Sequence, residues 1–247
     1  MPQSVKVVAL LAFRDEESYL PGFFAHLRDH VAEFIVFDDN SRDESLAIAQ
    51  SQPRTHVLKR QANGSSPDHY FEVDNRRALL ETALERNAEW VLCCDADERH
   101  EQMFLTELQD IIADAKEPLA LHVRDLWNSC DQYRNDGFWR HKSKFILFPL
   151  TPFTDYYPSH ALHTKWVPPN LPCRDENILN YNLYHLLSLR NADRVRRLEK
   201  FKEIDPESIY QPGIGYDYLT DENGLALEKI PSGRGFEILS EDSHLCS

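Results

Sequence analysis

The chain has 247 residues, of which 42% are hydrophobic and 28% are charged, and its 41 acidic and 27 basic residues give a formal net charge of −14. This balance is typical of a folded globular protein and excludes a disordered or fibrous chain. The excess of acidic residues argues against a nucleic-acid partner, because a broad nucleic-acid-binding surface requires a basic face.

The first half of the chain alternates strand and helix patterns. Short apolar runs, which favour strands buried on both faces, occupy Val5–Phe13, Phe34–Phe37, His56–Leu58 and Trp90–Cys94. Helical spacing occupies Asp15–His30, Asp43–Gln50 and Asn75–Arg86, and a loop-like stretch occupies Gln61–Asp68. Strands that alternate with helices predict an α/β fold with a mostly parallel sheet and right-handed crossovers.

The second half has a different character. Strand patterns separated by aromatic and Pro-rich loops occupy Leu119–Trp127, Lys144–Leu150, His160–Trp166 and Ile178–Leu187, and we predict helices over Met103–Ala115 and Asn191–Ile204. Beyond residue 205, Pro and Gly are frequent and the periodicity is weak. We therefore divide the chain into two halves of one domain, residues 1–100 and 101–206, followed by a C-terminal extension, residues 207–247.

The sequence has no window of 18 consecutive apolar residues, so we expect no membrane span. Peripheral association with a membrane is compatible with this pattern. The N-terminal apolar run lacks a small-residue cleavage site and is interpreted as a strand and not as a signal peptide. The five cysteines are scattered and form no CxxC pair, which predicts reduced thiols in a cytoplasmic protein.

Polar clusters follow three of the predicted strands, at Phe13–Glu16, Asp38–Ser41 and Asp95–Glu98. Ligands of open α/β sheets bind beyond the carboxyl ends of the strands, and no Gly-rich turn is present to hold a phosphate. Asp95 and Asp97 are therefore predicted to bind Mn²⁺ or Mg²⁺, which takes carboxylate and phosphate oxygens together and stabilises a leaving diphosphate. The alternative is a solvated acidic turn.

Four segments, VVALLAFRDEESYL, FIVFDDNSRDES, DNRRALLETAL and WVLCCDADE, occur in an order that resembles the nucleotide-sugar-binding half of family 2 glycosyltransferases with the GT-A fold. The resemblance covers about residues 5–100, and a weaker likeness to the bacterial glycosyltransferase 2-like branch extends to about residue 206. It implies a mostly parallel central sheet flanked by helices, with a mixed-strand acceptor half. It also implies transfer of a sugar from a nucleotide-sugar donor, with UDP-sugars favoured, to a glycan or lipid-linked acceptor in bacterial surface polysaccharide synthesis.

The resemblance also implies roles for the residues that match its motifs in the nucleotide-binding half. Ala12, Phe13 and Arg14 would line the base and ribose, Asp39 would accept a hydrogen bond from the base, and Arg76 would face the diphosphate or the base. The alternatives are structural, with helix capping for Asp38 or Ser41 and ordinary exposed helix positions for Arg76 and Arg77.

Asp95 and Asp97 match the DxD motif of the family and would bind the metal and the diphosphate, with Asp97 as the direct metal ligand. His185 matches a later histidine that completes the metal shell in this branch, and an imidazole suits Mn²⁺ better than Mg²⁺. His163 is a second candidate ligand. The alternative for His185 is a hydrogen-bonded histidine of the core.

The catalytic base, which takes the proton from the acceptor hydroxyl, has no clear match. Relatives often carry His-Glu where this chain has His163-Thr164, and we consider Asp131, Asp136 and Asp155 as substitutes. The aromatic and amide-rich segment Trp127–Trp139 suits sugar binding, with a surface loop pinned by buried aromatic residues as the alternative.

Two other functions stay open at the level of sequence. A nucleotidyltransferase also has an α/β body and acidic metal ligands, but it would carry a Gly- and Arg-rich loop after its first strand. A catalytically inactive module of the same fold would bind a nucleotide or glycan without transferring a sugar.

Overall fold

The computed structural model describes residues 5–60, 72–151 and 165–246. Within these residues the chain forms an eight-stranded sheet and a two-stranded sheet. The strands are β1 Val7–Phe13, β2 Glu33–Asp38, β3 Thr55–Lys59, β4 Trp90–Cys94, β5 Glu98–His100, β6 Leu119–Asp125, β7 Gln132–Arg134, β8 Ser143–Pro149, β9 Ile178–His185 and β10 Leu227–Lys229. The helices are α1 Leu20–Leu27, α2 Ser45–Ser51, α3 Glu72–Glu85, α4 Gln102–Ala113, α5 Asn191–Ile204 and α6 Ser243–Cys246.

The large sheet has the strand order β3-β2-β1-β4-β8-β6-β9-β5. Its first four strands are parallel, and Leu10 of β1 lies between Ile35 of β2 and Cys93 of β4. Strand β8 is antiparallel to β4 and β6, whereas β9 is parallel to β6 and antiparallel to β5. The predicted α/β fold, with a mostly parallel sheet followed by mixed strands, is confirmed.

Both faces of the sheet are covered by helices. Successive side chains of a strand point to opposite faces, so Val7 and Leu11 of β1 join one apolar cluster with α1 and α4, while Val8 and Leu10 join another with α3. Burial on both faces explains why β1 is a continuous apolar run without alternation of polar residues. The sheet is thereby a rigid support for the residues that follow its strands.

Helix α1 is shorter than predicted, because it begins at Leu20 and not at Asp15. Asp15 adopts a left-handed backbone conformation with φ 57°, which a helix cannot include. Pro21 falls in the first turn of the observed helix, where its missing amide is tolerated, whereas a helix from Asp15 would place the proline in its interior.

The remaining predicted elements agree with the structure to within a few residues where it describes them. The sequence did not predict β5, β7, β10 or α6, which are three or four residues long and too short to show a period. The predicted loop Gln61–Asp68 and most of the predicted strand His160–Trp166 lie outside the described residues.

The prediction that all cysteines are reduced is wrong, because Cys130 and Cys246 form a disulfide. These residues are 116 positions apart, so only the folded chain brings them together and their spacing carries no signal. Cys93 and Cys94 are buried free thiols, and Cys173 is an exposed one. In the described parts of the chain, no helix combines the length and the apolar character that crossing a membrane requires.

Candidate active site

A cleft with a volume of about 810 Å³ opens at the carboxyl ends of β1 and β4. Because parallel strands end at the same edge of a sheet, the polar residues that follow β1 and β4 meet there. The lining of the cleft includes many of the residues that the sequence singled out, namely Ala12, Phe13, Arg14, Arg76, Asp95, Asp97 and His185.

Asp95 directly follows β4, and a lysine from β8 holds its carboxylate. Lys144 Nζ donates to Asp95 Oδ2 at 2.6 Å and to Glu98 Oε1 at 2.6 Å, and Glu98 Oε2 accepts the amide of Asp95 at 2.8 Å. Burial opposes the charge of Lys144, but the two carboxylates outweigh it and raise the pKa of Lys144 above its usual range. Against the effect of burial, this ammonium in turn lowers the pKa of Asp95. Asp95 is therefore an ionised carboxylate at the strand end.

Asp97 is joined to a histidine of β9. His185 Nε2 lies 2.8 Å from Asp97 Oδ2, and His185 Nδ1 lies 2.8 Å from Asp125 Oδ1. Lys142 Nζ lies 2.5 Å from the other oxygen of Asp125. The register of the sheet places His185 beside both aspartates. His185 lies opposite Glu98 on β5, the residue after Asp97, and opposite Asp125 on β6.

The pKa values of this group support a chain of alternating charges. Burial lowers the pKa of His185, but Asp97 and Asp125 outweigh it and raise the pKa to about 9. Burial raises the pKa of Asp97, but His185 outweighs it and the pKa lies well below the usual range. Burial also raises the pKa of Asp125, but Lys142 and His185 outweigh it and hold this pKa well below the usual range. His185 therefore carries a positive charge at neutral pH and balances two buried carboxylates.

Asp97 and His185 are two side chains of the cleft that could hold a metal ion, and the ion would take the place of the proton on His185 Nε2. In the described part of the chain, no three His, Cys, Asp or Glu side chains are grouped to hold an ion by themselves, and Lys144 engages Asp95. The contact of His185 Nδ1 with Asp125 is typical of metal-binding histidines, whose second nitrogen donates to a carboxylate. Carboxylate and imidazole are both ligands for Mn²⁺.

Asp39 lies behind the cleft lining and fixes two arginines. Arg14 Nη2 donates to Asp39 Oδ2 at 2.7 Å, and Arg60 Nε donates to Asp39 Oδ1 at 2.5 Å. The side chain of Asp39 is only 2% exposed, and Arg60 also donates to Asn75 Oδ1 at 2.5 Å. Asp39 thus anchors Arg14 in the lining of the cleft, and its predicted hydrogen bond with a base stays a prediction.

Arg76 of α3 is buried, in contrast to the alternative of an exposed helix residue. Its guanidinium stacks 4.6 Å from the ring centre of Trp166, and its Nη2 pairs with Glu72. Its Nη1 is buried and has no hydrogen-bond partner among the residues that the structure describes. A buried donor without an acceptor is costly, so this nitrogen is suited to an anionic ligand in the cleft.

One wall of the cleft is basic. Helix α5 and the residue before it contribute four cationic side chains to the lining, which are Arg190, Arg196, Arg197 and Lys200. Asp193 is buried beneath them and accepts hydrogen bonds from Arg190 and Arg196, each at 2.6 Å. A chain with a net charge of −14 that collects cations on one wall favours an anionic ligand there.

The carboxylates considered as catalytic bases do not line the described part of the cleft. Asp131 is exposed and pairs with Lys229, and Asp136 pairs with Arg134 at 2.9 Å. Asp155 lies outside the described residues, as does the second candidate ligand, His163.

The segment Trp127–Trp139 also lies away from the lining. Trp127 is 0% exposed and Trp139 is 3% exposed, and both belong to an apolar cluster with Tyr216 and Leu219. This burial agrees with the alternative interpretation, a surface loop pinned by buried aromatic residues.

Two residues with a direct part in the site, Asp125 and Lys144, were not predicted. Asp125 is the last residue of β6, so the strand-end rule that selected Asp95 would have selected it if the strand had not been extended to Trp127. Lys144 has no comparable signal, because a lysine near the start of a strand is normally solvated.

The structure is similar to two crystal structures of larger proteins. TarS 1–349 of S. aureus aligns with 21% identity and a TM-score of 0.37 over 49% of this chain and 35% of that chain. Glucosyl-3-phosphoglycerate synthase from Mycobacterium tuberculosis, in complex with Mn²⁺, UDP and glucosyl-3-phosphoglycerate, aligns with 18% identity and a TM-score of 0.36 over 49% of this chain and 44% of that chain. The chain therefore spans less than half the length of either protein.

No curated protein matches the sequence. The family described as Glycosyl transferase family 2 matches residues 9–168, which is more than half of the chain. The matched region contains most of the four parallel strands β1 to β4 and both Asp95 and Asp97. The chain therefore belongs to glycosyl transferase family 2, a family of glycosyltransferases, and its α/β architecture is of the GT-A type.

Proposed function

We propose that this chain transfers a sugar from a nucleotide-sugar donor to a hydroxyl group, and that the transfer depends on a divalent cation. One observation carries the proposal. A single cleft joins Asp97 and His185, which suit a cation, to the buried Nη1 of Arg76, which suits an anion. A divalent cation would bind Asp97 and His185, and a diphosphate would accept a hydrogen bond from Arg76 Nη1.

The donor set fits a divalent cation of the kind that binds with a nucleotide. Mg²⁺ and similar ions in phosphate-transfer sites use one or two carboxylates, with substrate phosphates and water as the other ligands. A complete protein cage is therefore not required, and Asp97 with His185, supported by Asp125, is a sufficient protein contribution. When bound, the cation supplies charge stabilisation to the leaving diphosphate.

The nucleoside fits the wall formed by Ala12, Phe13 and Arg14 at the end of β1. Asp39 holds the guanidinium of Arg14 through two hydrogen bonds, one to its carboxylate and one to its carbonyl. Arg14 is thereby presented to the cleft in one orientation, at a low entropic cost of binding.

Arg76 and Lys144 would bind the diphosphate. When the bond between the sugar and the diphosphate breaks, negative charge increases on the leaving group, and fixed cations in a cleft stabilise it. Trp166 and Glu72 hold the guanidinium of Arg76, and the carboxylates of Asp95 and Glu98 hold the ammonium of Lys144. Neither cation needs to reorganise during the reaction.

Glu16 is our candidate for the proton acceptor, because it lines the described cleft whereas Asp131 and Asp136 do not. Burial and the nearby Asp97 raise the pKa of Glu16 to about 8, so the accepting carboxylate predominates above that pH. Asp193 also lines the cleft, but Arg190 and Arg196 already bind its carboxylate. We expect Glu16→Gln to lower kcat at least tenfold and to leave the binding of UDP with Mn²⁺ unchanged in calorimetry. Unchanged kcat would remove this role.

The decisive experiment combines binding and turnover. Thermal shifts are measured with UDP, GDP, dTDP and CMP and their sugars, with and without Mn²⁺, because ligands of the native state raise its apparent stability. We expect a Mn²⁺-dependent shift, largest for UDP, and release of the nucleoside diphosphate from the matching sugar. Binding without release would instead identify an inactive module of the same fold, and no binding of any nucleotide would contradict the proposal.

For the cellular role we propose a cytoplasmic transferase of bacterial surface polysaccharide synthesis with a glycan or lipid-linked acceptor. This rests on the resemblance of the sequence alone. The disulfide of Cys130 with Cys246 weighs against the cytoplasmic part of this proposal, because disulfides are rare in the cytosol. The state of these two cysteines in protein isolated from its native compartment tests the location. A stable disulfide there would argue against the cytoplasm.

A further inference from the structure

Arg99 lies two residues after Asp97, in the middle of β5. Its side chain is completely buried. Arg99 Nη1 donates to the carbonyl of Ala96 at 2.9 Å and to the carbonyl of Glu98 at 2.8 Å. One edge of the guanidinium therefore holds the backbone of the residue that separates the two aspartates.

The other edge of the guanidinium binds the C-terminal segment. Arg99 Nε donates to Asp242 Oδ2 at 2.8 Å, and Nη2 donates to Asp242 Oδ1 at 2.7 Å and to the carbonyl of Tyr19 at 3.1 Å. All five N–H donors of Arg99 thus have an acceptor, and Asp242 is also 0% exposed. Loss of one partner would leave an uncompensated buried charge.

Helix α1 leaves room for this ion pair through Gly22. A Cβ atom added to Gly22 would lie 1.9 Å from Asp242 Oδ1 and 2.5 Å from Arg99 Nη2. Glycine inside a helix is unfavourable relative to alanine. The ion pair of Arg99 with Asp242, which the missing side chain permits, offsets this cost to the helix. The fold therefore requires a small residue at the point where Asp242 reaches Arg99.

The position of Asp242 does not depend on Arg99 alone. Leu245 is buried in the main apolar cluster, and Cys246 is linked to Cys130 in the loop that follows β6. These two contacts fix the C-terminal segment independently. Asp242 is thus a defined point to which the guanidinium, and through it the Asp95–Asp97 turn, is attached.

We propose that Asp242 is a positioning residue for the Asp95–Asp97 turn and acts through Arg99 on the carbonyl of Ala96. The proposal rests on the function proposed above, in which Asp97 of this turn binds a divalent cation beside the diphosphate. Asp242 touches neither ligand. It fixes the turn before the ligands arrive, so its loss weakens the binding of Mn²⁺ even in protein that stays folded.

The test measures Mn²⁺ binding directly, as the free Mn²⁺ signal in electron paramagnetic resonance during titration of the full chain with UDP present. We expect Asp242→Asn to raise the Kd for Mn²⁺ at least tenfold. The matched control is Asp205→Asn. Asp205 is also buried, binds the amides of Ile209 and Tyr210 and the hydroxyl of Tyr216, and does not line the cleft. Its variant should lose stability but keep its Kd within twofold. The variant Glu241→Gln, at the half-buried neighbouring position, should also keep its Kd within twofold.

An unchanged Kd in folded Asp242→Asn, with wild-type protein that binds Mn²⁺, would overturn the positioning role and leave the proposed function intact. Wild-type protein that binds no Mn²⁺ would overturn the proposed function and this inference with it. If Asp242→Asn does not fold, Gly22→Ala replaces it, because the added methyl group displaces the carboxylate without removing a charge. Weaker Mn²⁺ binding by that variant would support the role, and unchanged binding would overturn it.

Discussion

The two parts of the chain hold their cleft residues in different ways. In residues 5–100, Asp39 and Asp95 come directly after buried parallel strands, so apolar packing of the backbone sets their positions. In residues 101–246, the cleft is completed by side chains held through charged pairs, as in the contacts of Asp125 with Lys142 and His185. The first arrangement depends on the core and the second on electrostatics.

This difference predicts different responses to substitution. Apolar packing is distributed over many residues, so the backbone that carries a strand-end carboxylate keeps its position when that side chain is replaced. A buried charged pair concentrates its effect in two groups, and removal of one leaves the other without compensation. Variants of the two parts should therefore separate loss of function from loss of structure.

The largest expected effect is that of Asp97→Ala. We expect at least a 100-fold loss of nucleoside diphosphate release, because the variant lacks the carboxylate assigned to the cation, whose charge stabilisation is worth several kcal/mol. The Mn²⁺-dependent thermal shift should disappear as well. Asp131→Asn, an exposed control, should keep both, and an unchanged shift in Asp97→Ala would remove the assigned role of Asp97.

The disulfide gives the next largest effect, on stability. Cys130 and Cys246 are 116 positions apart and close a large loop, so Cys246→Ser should lower the free energy of unfolding by about 2–4 kcal/mol. Denaturant unfolding under non-reducing conditions measures this loss. Cys173→Ser, at an exposed free thiol, should change stability by less than about 0.5 kcal/mol. Equal stability of the two variants, or five titratable thiols in the native protein, would speak against the link.

Asp125→Asn tests the charged pairs of the second part. The carboxylate accepts from His185 and Lys142, so its loss should lower the affinity for Mn²⁺ about 10- to 100-fold, as for other partners of metal-binding histidines. Calorimetry with Mn²⁺ and UDP measures the change. The exposed Asp110→Asn is the control. If Asp125→Asn binds Mn²⁺ as tightly as wild type does, the charged pairs do not contribute to the site.

The smallest effect concerns pH and contrasts two buried histidines. Burial lowers the pKa of His100 to about 3, whereas the pKa of His185 is raised. Below pH 6.5 the unfolded chain binds a proton at residue 100 that the folded chain does not, so stability falls as the pH falls from 6.5 towards 3. His100→Phe should reduce this slope by up to about 1.4 kcal/mol per pH unit. Urea unfolding at pH 7, 6 and 5 measures the slope, and an unaltered slope would contradict the shift.

The same division explains what the sequence could predict. Apolar runs determine where the parallel strands end, so the positions of Arg14, Asp95 and Asp97 at one cleft followed from the pattern and from the order of the family motifs. His185 was also identified, but only through resemblance, since a histidine on an apolar strand has no distinctive signal.

Contacts between distant side chains could not be predicted. Lys144 reaches Asp95 because β8 inserts next to β4 in the sheet, and no local pattern encodes that insertion. The disulfide and the pair of Arg99 with Asp242 likewise join residues more than 100 positions apart. Such contacts depend on the complete topology, and a single sequence read by periodicity does not contain it.

The strand order has a consequence for residues 95–97, which connect β4 to β5. Strands β4 and β5 are four places apart in the sheet, which in a flat sheet would separate them by about 19 Å. Yet only residues 95–97 connect Cys94 to Glu98, and a connection of that length reaches about 14 Å when fully extended. Strand β5, at the end of the sheet, must therefore curl back towards β4, and Asp95, Ala96 and Asp97 connect the two strands. The short connection between β4 and β5 therefore limits how far the sheet can open, in addition to placing Asp95 and Asp97 at the cleft.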